Sequence, residues 1–150
     1  MKIILFQPDI PQNTGNVVRT CSVTNTSLAL VKPLGFSIAS RHLKRAGLDY
    51  WDEVQIDFLE NLEEFLETET RPFYFFSSKG TKSYTEIKYT EESIIIFGSE
   101  TSGLPKLYFE RWPDRFYKIP MCSNARCLNL SNSVSIVLYE GLRQQNFNFS

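Results

Sequence analysis

The sequence predicts an α/β domain with a mostly parallel sheet and helices on both faces. Two observations lead to this fold class. Short apolar segments alternate along the chain with helix-length amphipathic segments. The strongest apolar segment, Ile94-Ile95-Ile96-Phe97, contains no polar residue, which is typical of strands that a parallel sheet buries on both faces.

Five elements are predicted in the first part of the chain. Residues 2–6 form a short apolar strand. A helix with one apolar face follows a loop rich in Pro and Asn and runs from about residue 14 to 25. Residues 28–31 form a second strand, which Pro and Gly end. Residues 40–46 form a short helix with a Ser N-cap and a following Gly, and residues 54–57 form a weak strand.

The remaining elements alternate in the same way. Residues 60–69 form an amphipathic helix whose apolar residues face the core. Residues 73–77 and 93–97 are strong buried strands, and residues 116–119 form another. A helix with one apolar stripe covers residues 131–145. Because parallel sheets bind ligands at the carboxyl ends of their strands, the loops that follow these strands are the candidate site.

Composition indicates one folded domain over residues 1–150. Hydrophobic residues make up 42% of the chain, which is ordinary for a globular protein and excludes disorder. No apolar run is long enough to cross a membrane, and the apolar N-terminus is too short before Pro8 to be a signal peptide. We therefore expect a soluble, cytoplasmic protein.

Cysteine and histidine usage argues against a metal centre. The chain has three cysteines, Cys21, Cys122 and Cys127, and an odd number does not favour a disulfide framework. Cys122 and Cys127 lack zinc-knuckle spacing, and the only histidine, His42, is far away in sequence. Reduced cytosolic thiols and no metal are therefore predicted.

The charge balance neither supports nor excludes a nucleic-acid partner. Lys and Arg number 16 against 17 Asp and Glu, and the pI is about 5.9, whereas RNA binding usually needs a basic surface. One local basic cluster exists at Arg41, Lys44 and Arg45. A dimer could gather such residues on one face.

Three polar loops follow predicted strands. Residues 8–19 read PDIPQNTGNVVR. This loop is either an elaborate helix N-cap or part of a functional site, and the loop alone favours neither alternative. Residues 94–105 read IIIFGSETSGLP; a tight turn needs one glycine, and two around a carboxylate favour a ligand site. Residues 119–133 read IPMCSNARCLNLSNS, with more capping residues than one helix start uses. None is a P-loop or a GxGxxG motif.

In this order and at this chain length, the three loops resemble the SPOUT superfamily of knotted RNA methyltransferases. The resemblance is to its small single-domain YibK or TrmL type. That type methylates the ribose 2′-hydroxyl of the wobble nucleotide of certain tRNAs, a cytidine or modified uridine at position 34. The resemblance covers essentially the whole chain, including RHLKRAGLDYW at residues 41–51 and SSKG at residues 77–80.

The resemblance implies a topology, a cofactor and partners. The C-terminal third is expected to thread through a loop as a deep trefoil knot, which general topology rules do not predict. S-adenosylmethionine is expected to bind at the knot without a metal and to leave as S-adenosylhomocysteine. The expected partners are tRNA and a second copy of the chain. The apolar face of residues 131–145 permits a dimer, although core packing explains it equally well.

The resemblance also implies residue roles, and Tyr139 matches a family tyrosine tied to dimerisation and activity. The positions that match cofactor contacts are Phe76, Gly98, Glu100, Gly103, Ile119, Met121, Cys127 and Leu128. The positions that match the catalytic group are Arg19, Asn13, Glu100, Asn129, Ser131 and Tyr139. The electropositive residues expected to contact RNA are Arg41, Lys44, Arg45 and Lys79, with Lys82 as a further candidate.

Two positions need separate treatment. Cys127 stands where related chains often carry Ser, so a backbone contact there predicts normal cofactor affinity and a hydroxyl contact predicts weaker binding. Arg19 is often assigned as the base in this family, but a guanidinium stays protonated at neutral pH. We expect Arg19 to bind a phosphate and to stabilise the developing alkoxide.

Three alternatives stay open beside this interpretation. One is a related enzyme that acts on rRNA, although such chains usually carry an extra RNA-binding domain. Another is a knotted module that binds cofactor and RNA without methyl transfer. Loss of Arg19 or Asn129 would have favoured this alternative, and the chain has both residues. The last is a flavodoxin-like nucleotide binder, which should have a phosphate loop after the first strand.

Overall fold

The computed structural model describes residues 1–149, without the side chains of residues 47 and 48. Within this range the core is one sheet of seven parallel strands in the order β3-β2-β1-β6-β4-β7-β5. The strands are β1 Lys2–Phe6, β2 Ser27–Val31, β3 Ile56–Leu59, β4 Phe73–Phe76, β5 Lys82–Ser83, β6 Ile94–Phe97 and β7 Phe116–Lys118. The predicted α/β fold with a parallel sheet is confirmed.

Helices connect most of these strands. The α-helices of the described chain are α1 Pro11–Thr24, α2 Arg41–Gly47, α3 Leu62–Glu67, α4 Lys106–Arg111 and α5 Leu130–Gln144. Three short 3₁₀ helices cover Leu48–Glu53, Tyr84–Glu86 and Pro113–Arg115. The predicted helices all exist, and their ends differ from prediction by a few residues.

Each face of the sheet carries its own apolar core, because successive strand residues point to opposite faces. On one face, Ile3 and Leu5 of β1 pack with buried residues of α1 and α5. On the other face, Ile4 packs with Leu62 of α3 and Tyr108 of α4. A fully buried Leu or Ile contributes roughly 1.5–3 kcal/mol. Helices therefore cover both faces, as predicted.

The structure corrects the prediction at the edge of the sheet. The third strand lies at Ile56–Leu59 rather than at residues 54–57. This strand pairs only with β2, and its side chains stay partly exposed, so its apolar pattern is weak. One strand and one α-helix were not predicted: β5, which has only two residues, and α4, a short helix after Pro105. The three 3₁₀ helices were not predicted either.

The strand order determines where a ligand site can form. From β1 the chain moves outward through β2 and β3 on one side, and later strands lie on the other side. The reversal lies between β1 and β6, which are neighbours. Ligands bind outside the carboxyl ends of strands at such a reversal. The loops that follow β1 and β6 therefore meet at this point.

Candidate active site

A cavity of about 430 Å³ lies at the carboxyl ends of β4, β6 and β7. Its wall consists of the three strand ends, the loops that follow them, and the first residues of α1 and α5. This volume is within the range of about 300–1,000 Å³ that is usual for small-molecule sites. The structure thus brings the three polar loops of the sequence to one place.

The loop after β6 forms one wall of the cavity, and its shape requires both glycines. Ser99 and Gly103 exchange backbone hydrogen bonds with N···O distances of 3.3 and 3.0 Å. A Cβ at Gly98 would lie 2.4 Å from the carbonyl carbon of Gly103. Gly103 itself has φ +65°, where a side chain is strained. The argument that this turn needs only one glycine is therefore wrong.

A chain of hydrogen bonds joins the three loops. Asn13 Nδ2 donates to Glu100 Oε2 at 3.4 Å, and Asn129 Nδ2 donates to Asn13 Oδ1 at 2.9 Å. The hydroxyl and the backbone N–H of Ser131 both donate to Asn129 Oδ1, at 2.6 and 2.9 Å. One residue from the first loop, one from the second and two from the third are thus linked.

Glu100 also connects these hydrogen bonds to the backbone before α1. The N–H groups of Asp9 and Ile10 donate to its two carboxylate oxygens at 3.1 and 2.7 Å. Ile10, the N-cap of α1, provides no side-chain cap, and the carboxylate of Glu100 from another loop accepts the backbone N–H groups just before the helix. Both oxygens of Glu100 therefore already accept hydrogen bonds, and these contacts hold the first two loops together.

All eight residues predicted to contact the cofactor line this one cavity. They are Phe76, Gly98, Glu100, Gly103, Ile119, Met121, Cys127 and Leu128. Asn13 and Asn129 of the predicted catalytic group line it as well, and so does Lys79, which was predicted as an RNA contact. Their proximity agrees with the sequence argument, and their roles stay predictions.

The other predicted residues lie outside the cavity. Ser131 is buried behind Asn129, and Tyr139 is exposed on α5. Arg19 is exposed on α1, where its guanidinium lies over the ring of Tyr50, 5.2 Å from the centroid. Three of the remaining predicted RNA contacts are exposed on α2, which packs against α1: Arg41, Lys44 and Arg45. The further candidate, Lys82, lies on β5, and its Nζ donates to the carbonyl oxygen of Asp114 at 3.1 Å.

Two residues of this region were missed from the sequence. Phe109 lines the cavity and stacks on Phe116 with ring centroids 3.9 Å apart, and it was missed because α4 was not predicted. Tyr50, the partner of Arg19, lies in the segment RHLKRAGLDYW. That segment indicated the family, but no local pattern connects Tyr50 with a residue of α1.

The thiols differ in environment. Cys122 and Cys127 are exposed, whereas burial raises the pKa of the Cys21 thiol to about 12, so Cys21 is unreactive at neutral pH. Among residues 1–149, no cluster of three or more His, Cys, Asp or Glu side chains is suitable for a metal ion. In the same range, no helix has the length and apolar character needed to cross a bilayer.

Comparison with known proteins identifies the family. The model of the SpoU rRNA Methylase family matches residues 1–139. The chain belongs to the SpoU methylase family. This SpoU chain is 43% identical to the tRNA (cytidine(34)-2′-O)-methyltransferase of Methylovorus glucosotrophus (strain SIP3-4), over 97% of this chain and 96% of that protein.

Two solved structures are similar to the SpoU chain. One, solved for structural insights into the 2-OH methylation of C/U34 on tRNA, has a TM-score of 0.88 and 40% identity and covers 98% of this chain and 97% of that one. The other is the SpoU methyltransferase AviRb of Streptomyces viridochromogenes in complex with the cofactor AdoMet. Its TM-score is 0.84 at 18% identity, over 97% of this chain and 58% of that one, so it supports the fold alone.

Proposed function

We propose that the chain transfers a methyl group from S-adenosylmethionine to the ribose 2′-hydroxyl of the wobble nucleotide of tRNA, a cytidine or modified uridine at position 34. The observation that carries this proposal is the single cavity whose three loops are joined through Glu100, Asn13 and Asn129. Membership of the SpoU family supports methyl transfer. The name of the Methylovorus relative supports the substrate and its position.

The cavity suits S-adenosylmethionine. Met121 and Leu128 on its wall are 39% and 37% exposed, an apolar surface that a flat adenine ring can cover. The chain shares its fold with AviRb, which was solved in complex with the cofactor AdoMet. Once bound, the cofactor supplies a methyl group that its sulfonium charge already activates. The residues that would hold it are Phe76, Gly98, Gly103, Ile119, Met121, Cys127 and Leu128.

The side chains of the protein then have two tasks. The first is to align the 2′-hydroxyl with the methyl group, which requires a cavity that keeps its shape. The hydrogen bonds of Asn13, Glu100 and Asn129 meet this need. The second is to lower the energy of the developing alkoxide. Arg19 meets it by binding the nucleotide through phosphate and by placing positive charge near the oxygen. A phosphate oxygen or water accepts the proton.

The RNA surface of the proposal lies on α2. Arg41, Lys44 and Arg45 are exposed, and α2 packs against the helix that carries Arg19. Lys79 lines the cavity, and in this proposal it contacts a phosphate of the nucleotide that reacts. Recognition of an unstacked loop nucleotide is usual for proteins that read RNA.

A homodimer is part of the proposal. Val23 on α1 and Tyr139 on α5 are 60% and 43% exposed, and Ile136 on α5 is also exposed. These helices pack together on one face of the sheet, so a second copy could cover all three side chains. In this dimer Arg19 of one subunit serves the cofactor of the other, or a site that both share.

The proposal also includes a deep C-terminal trefoil knot and a location in the cytoplasm. The resemblance to the SPOUT superfamily implies the knot, and membership of the SpoU family supports it. The exposed thiols of Cys122 and Cys127 suit a reducing compartment.

Incubation with methyl-labelled S-adenosylmethionine and total tRNA, followed by nucleoside analysis, tests the activity. We expect label in a 2′-O-methylated pyrimidine at position 34. A Met121→Glu variant, which puts a charge on the apolar cavity wall, serves as the control and should transfer little label.

The same assay with rRNA supplied as a second substrate, together with titrations of cofactor and RNA binding, separates the alternatives. Label in rRNA but not in tRNA would favour the rRNA enzyme. Cofactor and RNA binding without any transferred label would favour the non-catalytic module. Either result would refute methylation of the wobble nucleotide.

A further inference from the structure

Arg19 has an unusual environment for an exposed arginine. The 3₁₀ helix Leu48–Glu53 packs against α1 and carries acidic residues at three positions, Asp49, Asp52 and Glu53. None of them forms an ion pair with Arg19 in the described part of the chain. The guanidinium lies over the aromatic ring of Tyr50 instead.

The difference between a carboxylate and an aromatic ring matters for an arginine that binds anions. A carboxylate neutralises the charge and occupies the N–H donors of the guanidinium. An aromatic face attracts the cation through its quadrupole and leaves the donors at the guanidinium edge available. Arg19 is thus oriented while it keeps the charge and the donors that a phosphate needs.

Tyr50 is itself held firmly. Its ring is partly buried and packs against the apolar core that α1 and α5 share. The same 3₁₀ helix is joined to α1 by a hydrogen bond from the Ser22 hydroxyl to Glu53. Ser22 lies one helical turn after Arg19, so this contact holds the segment that carries Tyr50 beside the helix that carries Arg19.

We infer that Tyr50 is a positioning residue for Arg19 and that its ring, not its hydroxyl, fixes the direction in which the guanidinium meets the nucleotide. The inference rests on the proposed function and adds a residue to it. Tyr50 does not line the cofactor cavity. A change at Tyr50 should therefore alter the reaction and leave the affinity for S-adenosylmethionine unchanged.

Kinetics of Tyr50 variants provide the first test. Tyr50→Leu should lower the single-turnover methylation rate about fivefold, the upper end of what an exposed cation–π contact contributes. Tyr50→Phe should keep the rate within about twofold, because it keeps the ring. The matched control is Phe58→Leu, which removes the ring under Lys32, 5.5 Å away, and should not change the rate. If Tyr50→Phe is as slow as Tyr50→Leu, the inference is wrong.

A double-mutant cycle with Arg19→Ala provides the second test, read on unfolding free energy and on tRNA affinity. Tyr50→Leu should have a smaller effect in the Arg19→Ala background than in the unchanged chain. Equal effects in both backgrounds would overturn the inference. If Tyr50→Leu does not fold, Tyr50→Met replaces it. Absence of methyl transfer by the unchanged chain would refute the proposed function instead, and the unfolding cycle would still decide the contact.

Discussion

The cavity and the surface formed by α1 and α2 are built in opposite ways. In the cavity, Asn13, Glu100 and Asn129 link three loops through hydrogen bonds, and the polar atoms that shape the site are already paired. On the helix surface, Arg19 and the basic residues of α2 are exposed, and none has an ion pair in the part of the chain that the structure describes.

This difference indicates two kinds of ligand. A cavity whose loops are tied before binding suits a small molecule that must be held in one geometry. A surface of unpaired cations suits a polyanion, which supplies the missing negative charge itself. The two regions also face different directions, because Arg19 follows Asn13 by about 9 Å along α1 and lies about 120° away from it around the helix axis.

The largest expected effect is at Arg19. Arg19→Lys keeps the charge but loses the planar set of donors, so methylation should fall about 100-fold or more. The affinity for S-adenosylmethionine should not change, because Arg19 does not line the cavity. Single-turnover rates and cofactor titration measure the two quantities, with Arg111→Lys on α4 as the control. Turnover close to that of the unchanged chain would contradict the role of Arg19.

The next largest effect is expected at Glu100, whose hydrogen bonds join the first two loops. Glu100→Gln replaces one of two accepting oxygens with an N–H donor that faces a backbone N–H. The free energy of unfolding should fall by about 1–3 kcal/mol, and methylation should fall with it. Denaturant unfolding measures this. Glu110→Gln, which alters an exposed pair with Lys106 at 3.9 Å, is the control and should be neutral. An unchanged unfolding midpoint for Glu100→Gln would show that these bonds do not stabilise the loops.

The basic surface should give a smaller effect that depends on salt. Replacing Arg41, Lys44 and Arg45 with Gln should weaken tRNA binding about tenfold near 0.1 M salt. The slope of log affinity against log salt should fall by about 2–3. Binding titrations over a salt series measure both, and a Lys106→Gln variant is the control for loss of a positive charge elsewhere on the surface. An unchanged slope would mean that these residues do not meet phosphates.

The smallest effect is expected at Cys127. The side chain is exposed at the cavity wall, and Cys127→Ser changes it little in size. If the backbone contacts the cofactor, the dissociation constant should stay within about twofold. Calorimetric titration of S-adenosylmethionine decides this. A much tighter complex for Cys127→Ser would assign the contact to the side chain.

The sequence predicted the cavity better than the surface around Arg19, and the reason is geometric. The carboxyl ends of parallel strands meet at one edge, so polar loops such as those with Gly98 and Asn129 could be placed together without coordinates. The ring under Arg19 lies on a separate 3₁₀ helix, and nothing in the spacing of Tyr50 connects it with α1. Phe109 was missed for a similar reason, since α4 is too short to give a pattern.

The most direct test asks whether Arg19 of one copy of the chain acts on the cofactor in the cavity of a second copy. Arg19→Ala and Met121→Glu chains are each expected to be nearly inactive alone. If Arg19 of one subunit serves the cavity of its partner, mixed dimers formed by refolding the two chains together should recover about a quarter of the normal methylation rate. A mixture no more active than the two separate variants would contradict the account.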